Sequence, residues 1–109
     1  MRWSAARGYL DPAGARRNLT IATGVQVDRL LVNAGRCTGL ATRNHGIVLA
    51  KREVIVSAGA MGSPKLLMLS GVGPGDMLRA AGVEVTHDSP QVGRNLQEHP
   101  HASVSHEVM

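Results

Sequence analysis

Aromatic side chains and cysteines are scarce in this 109-residue chain, and each absence excludes a class of protein. The chain has no Phe, one Trp and one Tyr, whereas independent small domains usually bury several aromatic side chains. Its single cysteine, Cys37, excludes an intrachain disulfide, and no cysteine–histidine spacing typical of a zinc site is present. We therefore expect a segment of a larger enzyme, without a metal site.

Long apolar runs and clustered charges are also missing. No apolar run approaches the roughly 20 residues that span a bilayer, and residues 1–10 lack the apolar stretch of a signal peptide. The formal net charge is +4, but the basic residues are scattered in runs of at most two, without interleaved aromatics. We therefore expect a soluble protein with no membrane span and no nucleic-acid partner; its compartment is open, with the cytoplasm as the default expectation.

Short alternating apolar stretches predict a small antiparallel meander in the first half of the chain. Strands are expected at residues 18–23, 25–32, 37–42 and 47–51, joined by turns in which Gly46 supplies a positive φ. Before the meander, the sequence predicts a short helix. A break is expected at the pair Asp11-Pro12, because a residue before proline is pushed out of the helical region. Residues 12–17 then form either another turn of helix or a loop.

Residues 52–73 predict a buried strand, a turn of small residues and a capped helix. The β-branched run at residues 54–56 is typical of a strand covered on both faces. Ser63 is expected to be the N-cap, Pro64 the first helical residue, and Gly71 the left-handed residue that ends the helix. Since α/β proteins hold ligands where a strand ends in such a turn, we expect a ligand here.

The remaining part of the chain predicts short elements separated by turns. Asp76 should cap a helix at residues 77–81, which Gly82 ends. Strands are expected at residues 83–86 and 102–108. The fold class is therefore α/β, or α+β for a fragment: a meander, a buried strand and short helices.

Three blocks of sequence resemble the glucose–methanol–choline (GMC) oxidoreductases, in the branch of choline and alcohol dehydrogenases. Residues 59–73, GAMGSPKLLMLSGVG, are similar to the second signature of this family. Residues 2–21 are similar to the segment that leads into its antiparallel sheet. Residues 91–100, QVGRNLQEHP, resemble its V-G-x-N-L-x-D-H-P segment, with Glu98 in place of Asp. The order and spacing of the blocks also match.

This resemblance implies an FAD enzyme that oxidises an alcohol: a hydride passes to the flavin while a histidine takes the hydroxyl proton. It implies that the Val27 backbone pairs with the adenine edge, and that Ala58 and Gly59 approach the FAD ribose and pyrophosphate. A backbone N–H and C=O at a strand edge can imitate a base pair, and small residues permit a close approach. Alternatively, Val27 is a core strand residue, and the other two are small for packing alone. His99 is expected to be structural.

No catalytic residue is assigned, because the catalytic histidine of the family belongs to a C-terminal segment and the G-x-G-x-x-G fingerprint is absent here. Residues 1–100 are expected to be the C-terminal part of an FAD-binding domain, and residues 101–109 the start of a substrate-binding domain. The full-length enzyme would act on a small alcohol, and the chain alone would be inactive. Two alternatives are a non-catalytic truncated segment that binds FAD or adenosine, and an unrelated β-rich binding module.

Overall fold

The computed structural model describes residues 3–105 and is centred on an antiparallel three-stranded sheet. Its strands are β1 (Val27–Asn33), β2 (Arg36–Thr42) and β3 (Gly46–Leu49), in the order β1-β2-β3. Tight turns join them, and Gly35 and Gly46 adopt φ values of 75° and 72° there, as hairpin turns require. The predicted α/β class with a small antiparallel meander is confirmed.

One longer helix lies along β1, and a smaller α/β unit follows it. The longer helix is α2 (Gly59–Leu69), which packs against β1. Next come β4 (Val72–Gly73), α3 (Gly75–Ala80) and β5 (His87–Asp88), and the two short strands pair in parallel. None of the helices within residues 3–105 is long and apolar enough to cross a bilayer.

Glycines in the left-handed region end both helices, as the sequence predicts. Gly71 follows α2 with φ 81°, and Gly82 follows α3 with φ 72°. A residue with a Cβ is sterically strained at such a φ, whereas glycine is not. The chain can therefore reverse sharply after each helix.

The start of α2 differs from the prediction, because the helix begins at Gly59 with Ala58 as its N-cap. Pro64 consequently lies inside the helix rather than at its first position. The missing Pro64 N–H leaves only the C=O of Ala60 without its helical donor, and Ala60 is exposed to solvent, which can satisfy it. Ser63 is not the N-cap, yet its Oγ accepts a hydrogen bond from the Ala58 N–H at 3.0 Å.

Asp76 is not the N-cap of α3 either, because this helix begins one residue before it, at Gly75. The Asp76 carboxylate instead pairs with Arg79 at 2.8 Å. The capping interaction comes from a distant residue: Asp88 Oδ1 accepts a hydrogen bond from the Gly75 N–H at 2.9 Å. The cap thus links α3 to β5.

Three predicted strands, at residues 18–23, 54–56 and 83–86, form no strand ladder within the described part of the chain. The run at residues 54–56 is not buried either, since Ile55 is 79% exposed. A strand is formed only when a run of backbone groups pairs with a neighbouring strand. No strand within residues 3–105 pairs with these runs, although the Thr86 N–H donates a single hydrogen bond to the Gly71 C=O at 2.8 Å. The strand predicted at residues 102–108 is absent as far as residue 105, and its remainder lies outside the described residues.

The predicted break at Asp11-Pro12 is also wrong. A π-helix at Ala6–Leu10 continues directly into α1 (Asp11–Ala13). Pro12 falls within the first two residues of α1, and its fixed φ of about −65° fits a helical backbone.

The hydrophobic core of the described residues is small. Leu30 and Leu78 are its buried apolar side chains, whereas all of β3 is exposed. The radius of gyration is 19.0 Å, compared with about 13 Å for a compact domain of this length. Few contacts therefore hold β1, α2 and the following unit together. The loss of any one of them removes a larger share of the folding free energy than it would in a domain with a large core.

Candidate cofactor-binding site

A groove of about 370 Å³ lies between the start of β1 and helix α2. Val27 and Ala58, both predicted to contact FAD, line it from the strand and from the helix N-cap respectively. Its other walls are mostly apolar or small, and include Gly62, Leu66 and Leu69. Tertiary structure thus brings together two residues that are 31 positions apart in the chain.

The backbone N–H of Val27 points away from the sheet. β1 is an edge strand, with β2 on one side only. The C=O of Gln26 accepts a hydrogen bond from the Arg43 N–H at 3.0 Å and therefore faces β2. In a trans peptide unit the next N–H points the opposite way, and the described residues contain no cis peptide. The Val27 N–H consequently faces the free edge of β1, beside which α2 packs.

The C=O of Val27 has a partner that the sequence did not suggest. The Gln26 side-chain amide donates a hydrogen bond to it at 3.1 Å, in an exposed position. The sequence signal for this contact was the amide side chain of Gln26, which directly precedes the residue predicted to pair with adenine. A ligand amino group that reached the same oxygen would compete with Gln26.

Glycine serves different purposes at the two ends of the first helical turn. Gly59 has φ 81°, and a Cβ added there would meet nothing within 4 Å, so its backbone conformation requires glycine. Gly59 is not among the described residues that line the groove. A Cβ at Gly62 would lie 3.0 Å from the Ala58 Cβ, so here space is limiting. The tight contact at Gly62 is thus with the N-cap residue of the same helix, and the approach of FAD to Gly59 stays a prediction.

Ser70 joins β1 to the end of α2 and was also missed by sequence reasoning. Its Oγ accepts a hydrogen bond from the Leu30 N–H at 2.8 Å and donates one to the Leu66 C=O at 2.6 Å. The Ser70 side chain is buried, and buried polar groups without hydrogen-bond partners destabilise a fold, so both hydrogen bonds are required. A small polar residue just before a helix-ending glycine was the only local sign of this contact.

An exposed ion pair lies on the other side of β1. Arg43 contacts the Asp28 carboxylate at 3.0 Å, in addition to the backbone hydrogen bond that it donates. Both side chains are substantially exposed, at 67% and 39%. Such a pair contributes little to the free energy of folding.

None of the histidines within residues 3–105 lines this groove. His99 and His101 are exposed, and the His99 backbone N–H donates to Glu98 Oε1 of the preceding residue at 2.9 Å. Within residues 3–105 no group of three or more histidine, cysteine or acidic side chains is placed to hold a metal ion.

Comparison with known proteins adds independent observations. The model of the GMC oxidoreductase family matches residues 1–101. The oxygen-dependent choline dehydrogenase of Rhizobium johnstonii is 50% identical over 101 residues, which are 90% of this chain and 18% of that protein. The crystal structure of pyridoxine 4-oxidase from Mesorbium loti aligns with a TM-score of 0.74 and 41% identity, over 83% of this chain and 18% of the other.

A further solved structure agrees with these matches. An FAD-dependent oxidoreductase from Chaetomium thermophilum aligns with a TM-score of 0.72 and 30% identity, over 78% of this chain and 16% of the other. The chain therefore spans less than a fifth of the length of these relatives. The matches favour the oxidoreductase interpretation over an unrelated β-rich module, and the chain belongs to the GMC oxidoreductase family.

Proposed function

We propose that this chain is the part of a flavoenzyme that holds the adenosine portion of FAD. One observation carries the proposal: the Val27 N–H faces the free edge of β1, at a groove whose other side begins at Ala58. A ring nitrogen of adenine accepts from such an N–H, and the neighbouring amino group donates to the C=O. The apolar walls of the groove would cover the faces of the base.

The proposal extends to the whole protein as an oxidoreductase that acts on the CH–OH group of a small alcohol. Bound flavin would supply the hydride acceptor. The names of the relatives, a choline dehydrogenase and a pyridoxine 4-oxidase, support a small alcohol as substrate. Residues 1–100 would then complete the cofactor domain, and residues 101–109 would begin the substrate domain.

The contribution of this chain to that reaction would be binding and orientation. Val27 would set the position of adenine, and Ala58 with Gly59 would leave room for the ribose and pyrophosphate, since neither carries a bulky side chain. The groove contains no histidine among its described lining residues. We therefore expect no alcohol oxidation by the 109-residue chain alone.

Nuclear magnetic resonance titration of the ¹⁵N-labelled chain tests the adenosine site. ADP should shift the amide signals of Val27 and Ala58 in a saturable way, with a Kd of about 1 mM or tighter. FMN, which lacks adenine, should leave them in place. Equal shifts with FMN, or none with ADP, would contradict the proposal.

A pair of variants at Val27 separates the backbone from the side chain. Val27→Pro removes the outward N–H, and edge strands tolerate proline when the lost N–H faces away from the sheet. It should weaken ADP binding about tenfold, the equivalent of one hydrogen bond. The matched control Val27→Ile retains the N–H and should bind ADP as the natural chain does.

A further inference from the structure

The buried hydroxyl of Ser70 connects two elements that are distant in sequence. It accepts from the Leu30 N–H at 2.8 Å, a contact between residues 40 positions apart, and donates to the Leu66 C=O at 2.6 Å. A hydroxyl can accept and donate at the same time, so a single atom satisfies both backbone groups. Alanine at this position would leave the buried Leu30 N–H without a partner.

These two elements are also the two walls of the groove. Leu66 lines the groove from α2, and Leu30 follows Val27 by three residues on β1, or about 10 Å along a strand. Between them, the pairing of β1 with β2 is irregular, with a register shift between Val27 and Arg29. Such an irregularity disrupts the ladder locally and bends the strand. The position of the Val27 peptide therefore depends on what holds β1 on each side of the irregularity.

On the side facing β2, Arg43 holds this part of the strand through the Gln26 C=O and the Asp28 carboxylate. On the free edge, the anchor is the hydrogen bond from Leu30 to Ser70. Of these restraints, the free-edge anchor is the one that joins the strand to α2.

We propose that Ser70 is a positioning residue whose hydroxyl sets the spacing between β1 and α2, and with it the width of the groove beside Val27. For the ligand, the inference rests on the proposed adenosine site. For the geometry, it rests on the structure alone. Ser70 would not touch the ligand itself, because it is not among the described residues that line this groove.

Three variants of the ¹⁵N-labelled chain test the proposal, with Leu30 amide hydrogen exchange and the Val27 amide shift as readouts that need no ligand. Ser70→Ala should accelerate Leu30 exchange about tenfold and displace the Val27 signal. Ser70→Thr retains the hydroxyl and should restore both values. Thr86→Val is the control: it removes a hydroxyl that donates to the Ser70 C=O at 3.4 Å without affecting the Leu30 anchor.

ADP affinity supplies the second arm of the test. Ser70→Ala should weaken binding about fivefold to tenfold, whereas Ser70→Thr and Thr86→Val should remain within about twofold of the natural chain. If Ser70→Ala loses its dispersed spectrum, Ser70→Cys takes its place, because its sulfur is a weaker donor and acceptor than the hydroxyl and so weakens the Leu30 anchor without leaving the site empty.

The outcomes separate the two proposals. A natural chain that does not bind ADP, combined with a Val27 signal that moves in Ser70→Ala alone, refutes the adenosine site and supports the positioning role. An unchanged Val27 signal in Ser70→Ala refutes the positioning role, whatever the affinity. Equal effects of Ser70→Ala and Thr86→Val also refute it, because the loss would then be one of general stability.

Discussion

Replacing Gly71 with alanine is expected to disrupt the junction between α2, β4 and β5. Gly71 has φ 81°, and an added Cβ would overlap the Glu84 C=O and lie 2.5 Å from Thr86 Oγ1. The Gly71 C=O also accepts hydrogen bonds from the Thr86 and His87 N–H groups, at 2.8 and 3.0 Å. The substitution therefore strains the backbone and pushes apart the segments that these hydrogen bonds hold together.

The size of the effect follows from two costs and one gain. A left-handed conformation costs alanine about 1–2 kcal/mol, and overpacking against backbone costs about 1–3 kcal/mol more. Alanine restricts the unfolded chain and returns about 0.4–1 kcal/mol. We expect a net loss of about 2–4 kcal/mol in the free energy of unfolding. With so small a core, that loss should leave little of the chain folded.

Gly82 offers a matched control, because it also follows a helix in the left-handed region, with φ 72°. A Cβ at Gly82 would meet nothing within 4 Å. Gly82→Ala therefore introduces only the strain of a left-handed alanine, and should lower the free energy of unfolding by about 1 kcal/mol. The difference between the two variants measures the close backbone approach at Gly71.

Amide hydrogen exchange of Thr86 and His87 reports on this junction directly, and urea unfolding reports on the whole chain. Gly71→Ala should accelerate the exchange of both amides at least about fivefold more than Gly82→Ala does, since the two losses differ by about 1 kcal/mol or more and about 1.4 kcal/mol corresponds to tenfold. Equal losses in the two variants would refute the reasoning, because conformation alone would then account for both glycines.

Three smaller predictions follow from the sheet and the groove. Gly39→Ala should separate β2 from β3, because an added Cβ would overlap the β3 backbone; an unchanged far-ultraviolet circular dichroism spectrum would contradict this. Gln26→Leu should raise ADP affinity about twofold to tenfold by freeing the Val27 C=O, and a titration that shows weaker binding would argue against the adenosine site. Asp28→Asn, which weakens the exposed pair with Arg43, should cost less than about 1 kcal/mol in urea unfolding; a loss above about 2 kcal/mol would show that the pair is structural.

Features that depend on a single residue's backbone were predicted well. Gly46, Gly71 and Gly82 all adopt the positive φ expected of them, since few other residues tolerate it. The meander was predicted from alternation, and three of its four strands formed, with ends shifted by a few residues. These signals are local, so the features that they predict depend little on tertiary contacts.

Features that require a partner were predicted poorly. Residues 54–56 have the composition of a buried strand, yet Ile55 is 79% exposed, and no strand within residues 3–105 pairs with them. The cap of α3 comes from Asp88 rather than Asp76, because a distant carboxylate reaches the Gly75 N–H. The composition of a segment indicates which structures it can form. Whether it is paired, buried or capped depends on residues elsewhere in the chain.

By itself, the sequence determined the helix-ending glycines, the meander and the resemblance to the GMC family, because each is written in contiguous residues. Only the tertiary structure decided that Val27 and Ala58 share a groove, that the Val27 N–H faces its open side, and that Ser70 holds the strand to the helix. These relations join residues up to 40 positions apart. They depend on how strand and helix pack together, which no local pattern encodes.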